Sequence, residues 1–270
     1  MTTYGFIGAG NMASAIIYGM LASGTPAEHL VVTDASPEAR TALADGAGVR
    51  CVESNISLVE VADVVVLAVK PHVVAPVLAE VGEAIAENDP LIVSIAAGTT
   101  LEALAEATPD KTRLVRVMPN VNAMVGHGMA AVCGNEHARA ADVEQIVDLF
   151  RTVGDAIALE EADFSTYTAL AGSSPAFVFS FIDALARGGV KNGIPKALAV
   201  RIAAQAVAGS ARMVLDKADD GLSPADLVDM VSSPGGTTVA GTVAMEEAGF
   251  SPAVVRGVDA VIARDREMGG

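Results

Sequence analysis

Residues 5–13 read GFIGAGNMA, with Gly8, Gly10 and Ala13 spaced as G-x-G-x-x-A between a strand-like run at 4–7 and a helically spaced run at 12–22. No other stretch constrains the fold as strongly. Gly8 permits the tight turn out of the strand, Gly10 leaves room for a pyrophosphate against the backbone, and Ala13 lets the helix close on the strand. The uncovered amides and positive dipole end of that helix then face the anion. A glycine pattern alone is weak evidence. Here a strand precedes it, a helix follows, and a second strand run at 30–33 ends at Asp34, which together specify a dinucleotide-binding βαβ unit.

Asp34 stands where an acidic side chain would hold the ribose hydroxyls of NAD and repel the 2′-phosphate of NADP. Ser36 and Arg40 follow on the same turn, and Arg40 is a guanidinium able to pair with a phosphate. Both NADH and NADPH therefore remain open.

The strand–helix rhythm continues through the first part of the chain. Strand-like runs lie at 4–7, 30–33, 64–69, 91–95 and 114–117, with helical spacing at 12–22, 37–44, 73–86 and 101–107 between them. Weaker strands at 129–133 and 155–159, around a helix at 137–153, extend the same sheet. This is the pattern of an α/β, Rossmann-type, doubly wound and mostly parallel sheet. After residue 160 strand signals stop, and alanine-rich helical patterns cover 164–190, 195–217, 224–231, 237–248 and 252–268. The expected organisation is a dinucleotide-binding domain at 1–160 and an all-α domain at 161–270. Because those helices are apolar on more than one face, they are expected to pack on another subunit.

A chain of 270 residues, 51% of them hydrophobic, can bury a core. Unbroken apolar runs such as 62–69 are too short for a bilayer crossing and the start does not resemble a signal peptide, so the chain reads as cytosolic. The net charge of −16 argues against nucleic acid or an anionic membrane as partner. Only 5 of the 17 basic residues are lysine, which suits a salt-adapted source and ordinary high-GC usage equally. Cys51 and Cys133 lie in separate strand-like segments and are expected to be buried, and the four histidines show no metal-ligand spacing. No metal is implied.

Residues 232–238 (SSPGGTT) form a second chemical feature. Pro234 donates nothing, Gly235 and Gly236 allow unusual backbone angles, and a helix starts at Thr237, leaving amides uncovered. Such a turn can hold a carboxylate through Gly236, Thr237 and Thr238 without an arginine, which would let a very acidic chain bind an acid.

Residues 5–13, 67–73 (LAVKPHV), 94–99 (SIAAGT), 116–120 (RVMPN), 188–195 (GGVKNGIP) and 232–238, the last followed by Ala240-Gly241 and 246–250 (EEAGF), resemble the pyrroline-5-carboxylate reductase family along nearly the whole chain. The resemblance implies an NAD(P)H-dependent oxidoreductase acting on a CH–NH group. Its reaction would be hydride transfer to the C=N carbon of 1-pyrroline-5-carboxylate, giving L-proline, the last step of proline biosynthesis. It also implies a helical dimerisation domain and a homodimer or larger ring of dimers such as a decamer.

By the same resemblance, Ile7, Gly8, Ala9, Gly10, Asn11, Met12, Asn55, Ala68, Val69, Lys70, Pro71, Ala96, Ala97 and Gly98 would line the cofactor site. Asp34 and Ser36 would join them at the ribose, and Asn120 would converge with Lys70 and Gly98 on one sheet edge. Lys70 reads either as a cation steadying ligand charge or as a strand-end residue reaching water. Ser233, Gly235, Gly236, Thr237 and Thr238 would hold the cyclic imino acid. Thr238 is the candidate for hydrogen bonding to its ring nitrogen, and Glu161, at a position matching one beside that nitrogen, is a second catalytic candidate. Where the family reads Ser-Gly-Ser-Gly-Pro-Ala-Tyr, this chain has residues 171–177 as AGSSPAF, losing a hydroxyl, a glycine and a phenol while keeping Ser173, which could contact the cofactor amide. Two other readings are a β-hydroxyacid-type dehydrogenase, whose lysine–asparagine spacing Lys191-Asn192 does not match, and a dinucleotide-sensing regulator without turnover.

Overall fold

Buried parallel strands are rich in Val, Ile and Leu because both of their faces are covered. In the computed structural model, which describes residues 2–268, the strands are β1 (Tyr4–Ile7), β2 (Leu30–Thr33), β3 (Arg50–Cys51), β4 (Val64–Leu67), β5 (Leu91–Ser94), β6 (Leu114–Pro119), β7 (Gly128–Gly134) and β8 (Gly154–Ala158), with the Val-, Ile- and Leu-rich runs in β2, β4, β5 and β6. They make one sheet of order β3-β2-β1-β4-β5-β6-β7-β8. All pairs are parallel except β6 with β7. The helices α1 (Asn11–Ala22), α2 (Pro37–Ala47), α3 (Asn55–Val59), α4 (Pro71–Asn88), α5 (Leu101–Glu106) and α6 (Ala140–Arg151) alternate with the strands.

Alternation along the strands splits the core in two. Phe6, Val32, Val66, Val93 and Val115 pack with Ile16, Ile17, Ile146 and Phe150 of α1 and α6. Ile7, Val31, Val65, Ile92 and Leu114 pack with Leu78 and Val81 of α4 and Leu104 of α5. Helix α6 starts later than its apolar spacing suggests. The Asn135 side chain accepts from the amides of His137 and Ala138, and Asp142 accepts from that of Arg139, so the residues before Ala140 form a turn.

The expectation that Cys51 is buried is corrected: it is exposed, because β3 is a two-residue edge strand paired only with β2. Cys133 is half-buried, and burial pushes its thiol up from the usual range.

The chain divides into two compact units, Met1–Ser173 with Val261–Gly270, and Ser174–Ala260. The helices after β8 are α7 (Phe164–Tyr167), α8 (Ser174–Lys191), α9 (Lys196–Ala218), α10 (Pro224–Met230), α11 (Thr237–Glu247) and α12 (Phe250–Met268). The continuous helix expected at 164–190 is broken by a π-helical turn, Thr168–Gly172, whose cause is described below. Within the second unit few side chains are buried, among them Ala186, Ala199 and Ala203, while Phe179 is 59% and Leu215 68% exposed. By length and composition, Glu161–Lys191 and Lys196–Ala218 are apolar enough to cross a membrane. Asp183, Arg187, Arg201 and Arg212 interrupt the apolar runs of these two helices.

Candidate active site

The strand order reverses between β1 and β4, and ligands of open α/β sheets sit in the crevice beyond the strand ends at such a point. Gly8 follows β1 there and Ala68 follows β4. The ladder runs one step past both strands: the Ala68 amide donates to the Ile7 carbonyl at 2.8 Å, and the Gly8 amide to the Thr33 carbonyl at 2.8 Å. Gly8 has φ +112°, and a Cβ placed on it would lie 2.5 Å from the Ala68 carbonyl oxygen. A Cβ on Gly10 would meet nothing within 4 Å. The Gly8 position is thus closed by the protein itself, while that of Gly10 is open space. Helix α1 begins with no side-chain cap and no acid in its first turn, so its leading amides remain available to an anion. The cradle fits a dinucleotide pyrophosphate.

The residues expected around this cradle lie at strand ends or at the helix starts that follow. The Asp34 carboxylate accepts from the Ala9 amide at 2.7 Å and from the Ser36 amide at 2.8 Å, tying the first βα turn to the second. Lys70 is exposed at the start of α4, where Pro71 takes the first helical position. Gly98 turns out of β5 at φ +75°. Ala96 is buried and Ala97 exposed. Asn55 opens α3, and its amide donates to Glu80 of α4 at 2.8 Å.

Glu161 is placed differently from a free acid. Its Oε1 accepts from the Arg116 guanidinium at 2.8 Å and from the Leu101 amide, at the start of α5, at 2.8 Å. Arg116 is buried on β6, its guanidinium 4.6 Å from the Phe164 ring centroid. A cleft of about 420 Å³ beside the pair is lined in part by Gly98, Thr100 and Glu102. Sequence reasoning did not single out Arg116, although a charge inside an apolar strand run is a signal that a partner must exist. Replacing Glu161 with glutamine strips Arg116 of its counter-charge. Because the Glu161 side chain is 31% exposed, the expected loss is discounted to about 2 kcal/mol in urea unfolding. Unchanged stability with a collapsed kcat would instead return Glu161 to an acid–base role.

Asn120 is buried and both ends of its side chain are occupied. Oδ1 accepts from the Met129 amide at 3.1 Å and Nδ2 donates to the Ala171 carbonyl at 3.0 Å. The reason lies four residues after Ala171. Pro175 stands where an α-helix would supply the donor for that carbonyl, and proline has no N–H. The backbone adopts the π-turn, closed by Ser173 N–H to the Thr168 carbonyl at 2.8 Å, and Asn120 satisfies the orphaned oxygen. Ser173 sits at the end of this turn. Asn120 therefore acts on the structure as a strut, a role that its place in the RVMPN stretch did not suggest.

In the second unit, Gly235 (φ +69°) and Gly236 lead into α11, which carries no side-chain cap. The Gly236 amide, expected to be free for a carboxylate, donates instead to the Ser233 carbonyl at 2.9 Å. The amides of Thr237 and Thr238 are left to open the helix. The Ser232 hydroxyl is enclosed without a hydrogen-bond partner among the described residues.

A doubly wound sheet with a pyrophosphate cradle at its switch point defines a dinucleotide-binding protein, here with a helical unit that carries an uncapped turn. Residues 3–98 match the model described as NADP oxidoreductase coenzyme F420-dependent, and residues 161–268 match pyrroline-5-carboxylate reductase dimerisation. Pyrroline-5-carboxylate reductase from Escherichia coli (strain K12) is 40% identical over 98% of this chain and 97% of its own length. A solved structure of the reductase from Coxiella burnetii is 31% identical, with TM-score 0.94 over 100% of this chain and 99% of that one. A Plasmodium falciparum pyrroline carboxylate reductase with NADP bound is 30% identical, with TM-score 0.87 over 100% of this chain and 98% of that one. The chain belongs to the pyrroline-5-carboxylate reductase family.

Proposed function

We propose that this protein reduces 1-pyrroline-5-carboxylate to L-proline with NAD(P)H. Membership in the family supports the reaction class, and the observation that carries the substrate assignment is the turn at 232–238. It offers backbone donors to a carboxylate in a chain of net charge −16. When bound, the nicotinamide supplies the hydride for the imine carbon. The protein's own residues bind and orient. Gly8, Gly10 and the start of α1 cradle the pyrophosphate, and Asp34 and Ser36 meet the adenosine ribose. Ile7, Ala9, Asn11, Met12, Asn55, Ala68, Val69, Lys70, Pro71, Ala96, Ala97 and Gly98 line the remaining cofactor path.

The amides of Thr237 and Thr238 hold the substrate carboxylate, with Ser233, Gly235 and Gly236 shaping the turn. Thr238 Oγ1 accepts the N–H of the protonated ring nitrogen, keeping the proton on the imine and the ring in one orientation. Ser173 contacts the cofactor carboxamide, and Asn120 supports it through the π-turn. Glu161 acts as a positioning residue through Arg116. The exposed apolar side chains of the helical unit form a homodimer face, in keeping with the dimerisation model it matches, and the protein works in the cytosol.

The experiment follows loss of NADH and NADPH absorbance with pyrroline-5-carboxylate at low and molar salt, with the six-membered imine and an open-chain keto acid as controls. Turnover confined to the five-membered imine supports the assignment, and silence with all three overturns it. Thr238→Ala is expected to lower kcat by about 10- to 100-fold, the worth of one hydrogen bond to a charged group. Cofactor affinity measured by calorimetry stays within about twofold on that reading. Equal losses in both quantities would remove Thr238 from its assigned role.

A further inference from the structure

We infer that the adenosine-ribose end of the crevice is built for a free 2′-hydroxyl, so that this protein prefers NADH to NADPH. The inference rests on the cofactor reading above and deepens it at one subsite. A solved relative carries NADP, so family membership does not decide the matter.

The residues following β2 do. Asp34 is immobilised: one carboxylate oxygen is held by the Ala9 amide at 2.7 Å and the other by the Ser36 amide at 2.8 Å. A rotamer change that would carry the charge away from an incoming phosphate breaks both bonds. Each oxygen keeps a lone pair, so ribose hydroxyls can still donate to it. A 2′-phosphate, with a charge of about −1.5 to −2 and no proton to spare, can only be repelled.

The two groups that would welcome a phosphate, the Ser36 hydroxyl and the Arg40 guanidinium, are each already hydrogen-bonded within the chain. The Ser36 hydroxyl donates to Glu38 at 2.9 Å and accepts the Ala39 amide at 3.2 Å, capping α2 and holding a second carboxylate in the turn that follows β2. The backbone amide and the Ser36 hydroxyl hold the Glu38 carboxyl below its ordinary range, so it is ionised at neutral pH. The guanidinium of Arg40 donates to the Glu53 carbonyl at 3.2 Å, tethered to the loop after β3. From 34 to 55 the chain carries Asp34, Glu38, Asp45 and Glu53 against Arg40 and Arg50.

Calorimetric titration of the full-length protein with NADH and with NADPH, without imine, tests this. NADH is expected to bind at least about tenfold more tightly, and AMP to bind more tightly than adenosine 2′,5′-bisphosphate. Equal binding, or tighter NADPH, overturns the inference. Absence of binding by either dinucleotide overturns the cofactor reading itself, and the inference with it. Glu38→Gln keeps the Asp34 tether and the Ser36 cap, and is expected to lower the NADH-to-NADPH affinity ratio by about threefold at low salt, with a smaller effect at high salt. Asp34→Asn removes the stronger charge and is expected to lower the ratio further. Where that variant folds poorly, Glu38→Gln carries the readout, and a ratio unchanged in Glu38→Gln overturns the inference.

Discussion

Gly8→Ala is expected to weaken dinucleotide binding by at least about 100-fold, while Gly10→Ala weakens binding and, as alanine at the cap of α1, lowers the melting temperature by no more than about 3 °C. The two glycines stand two residues apart in one loop but are required for different reasons. At Gly8 the backbone has φ +112°, which an alanine side chain rarely adopts, and the added Cβ would lie 2.5 Å from the Ala68 carbonyl oxygen. That atom belongs to the backbone and cannot swing aside. Either the turn after β1 or the turn after β4 must move, and both form the proposed cofactor path. A stability loss of about 2 kcal/mol or more should accompany the loss of affinity. At Gly10 the new Cβ meets nothing within 4 Å, so the free protein accepts it and only the ligand is obstructed. Calorimetric titration with thermal unfolding separates the two variants. A Gly8→Ala protein that binds NADH within about twofold of the parent would show that the loop is more plastic than its contacts allow.

Asn120→Ala should cost about 1–3 kcal/mol, because two half-buried backbone groups lose their partners at once, the Met129 amide and the Ala171 carbonyl. Asn120→Asp separates the two halves of the argument. A carboxylate can still accept from Met129 but cannot donate to Ala171, and it sets a negative charge against that carbonyl. Its loss should equal or exceed that of alanine. Pairing Asn120→Ala with Pro175→Ala tests the cause directly: alanine at 175 restores an N–H to the helix, and the double variant should recover part of the lost stability. Urea unfolding measures the parent, the three single variants and the double variant. Additive losses would mean that the proline does not create the need for the asparagine.

Much of the fold is legible from local pattern. The β-branched runs of β2, β4, β5 and β6 are dense enough to announce themselves, the glycine loop marks the end of β1, and period-two alternation assigns Phe6 and Ile7 to opposite faces. The two-residue β3 and the five-residue α3 are too short to carry a period, and the exposure of Cys51 follows from β3 lying at the sheet edge. Short-range chemistry is legible too: Ser36, Pro37 and Pro71 open helices where their residue types suggest. Long-range pairing is not. Glu161 reads as a free carboxylate at a helix start until Arg116, 45 residues earlier, is found bonded to it.

The amino-acid sequence by itself determined the family, the alternation of strands and helices, the pyrophosphate loop and the turn at 232–238, because each is written in contiguous residues whose backbone preferences act locally. Only the tertiary structure decided which side chains are free to meet a ligand. Asp34 is held by the amides of Ala9 and Ser36, Gly236 spends its amide on Ser233, Asn120 repairs a carbonyl orphaned by Pro175, and Glu161 neutralises Arg116. Buried or strained polar groups must find partners wherever the folded chain supplies them, and neither local pattern nor family resemblance says which groups will be left over.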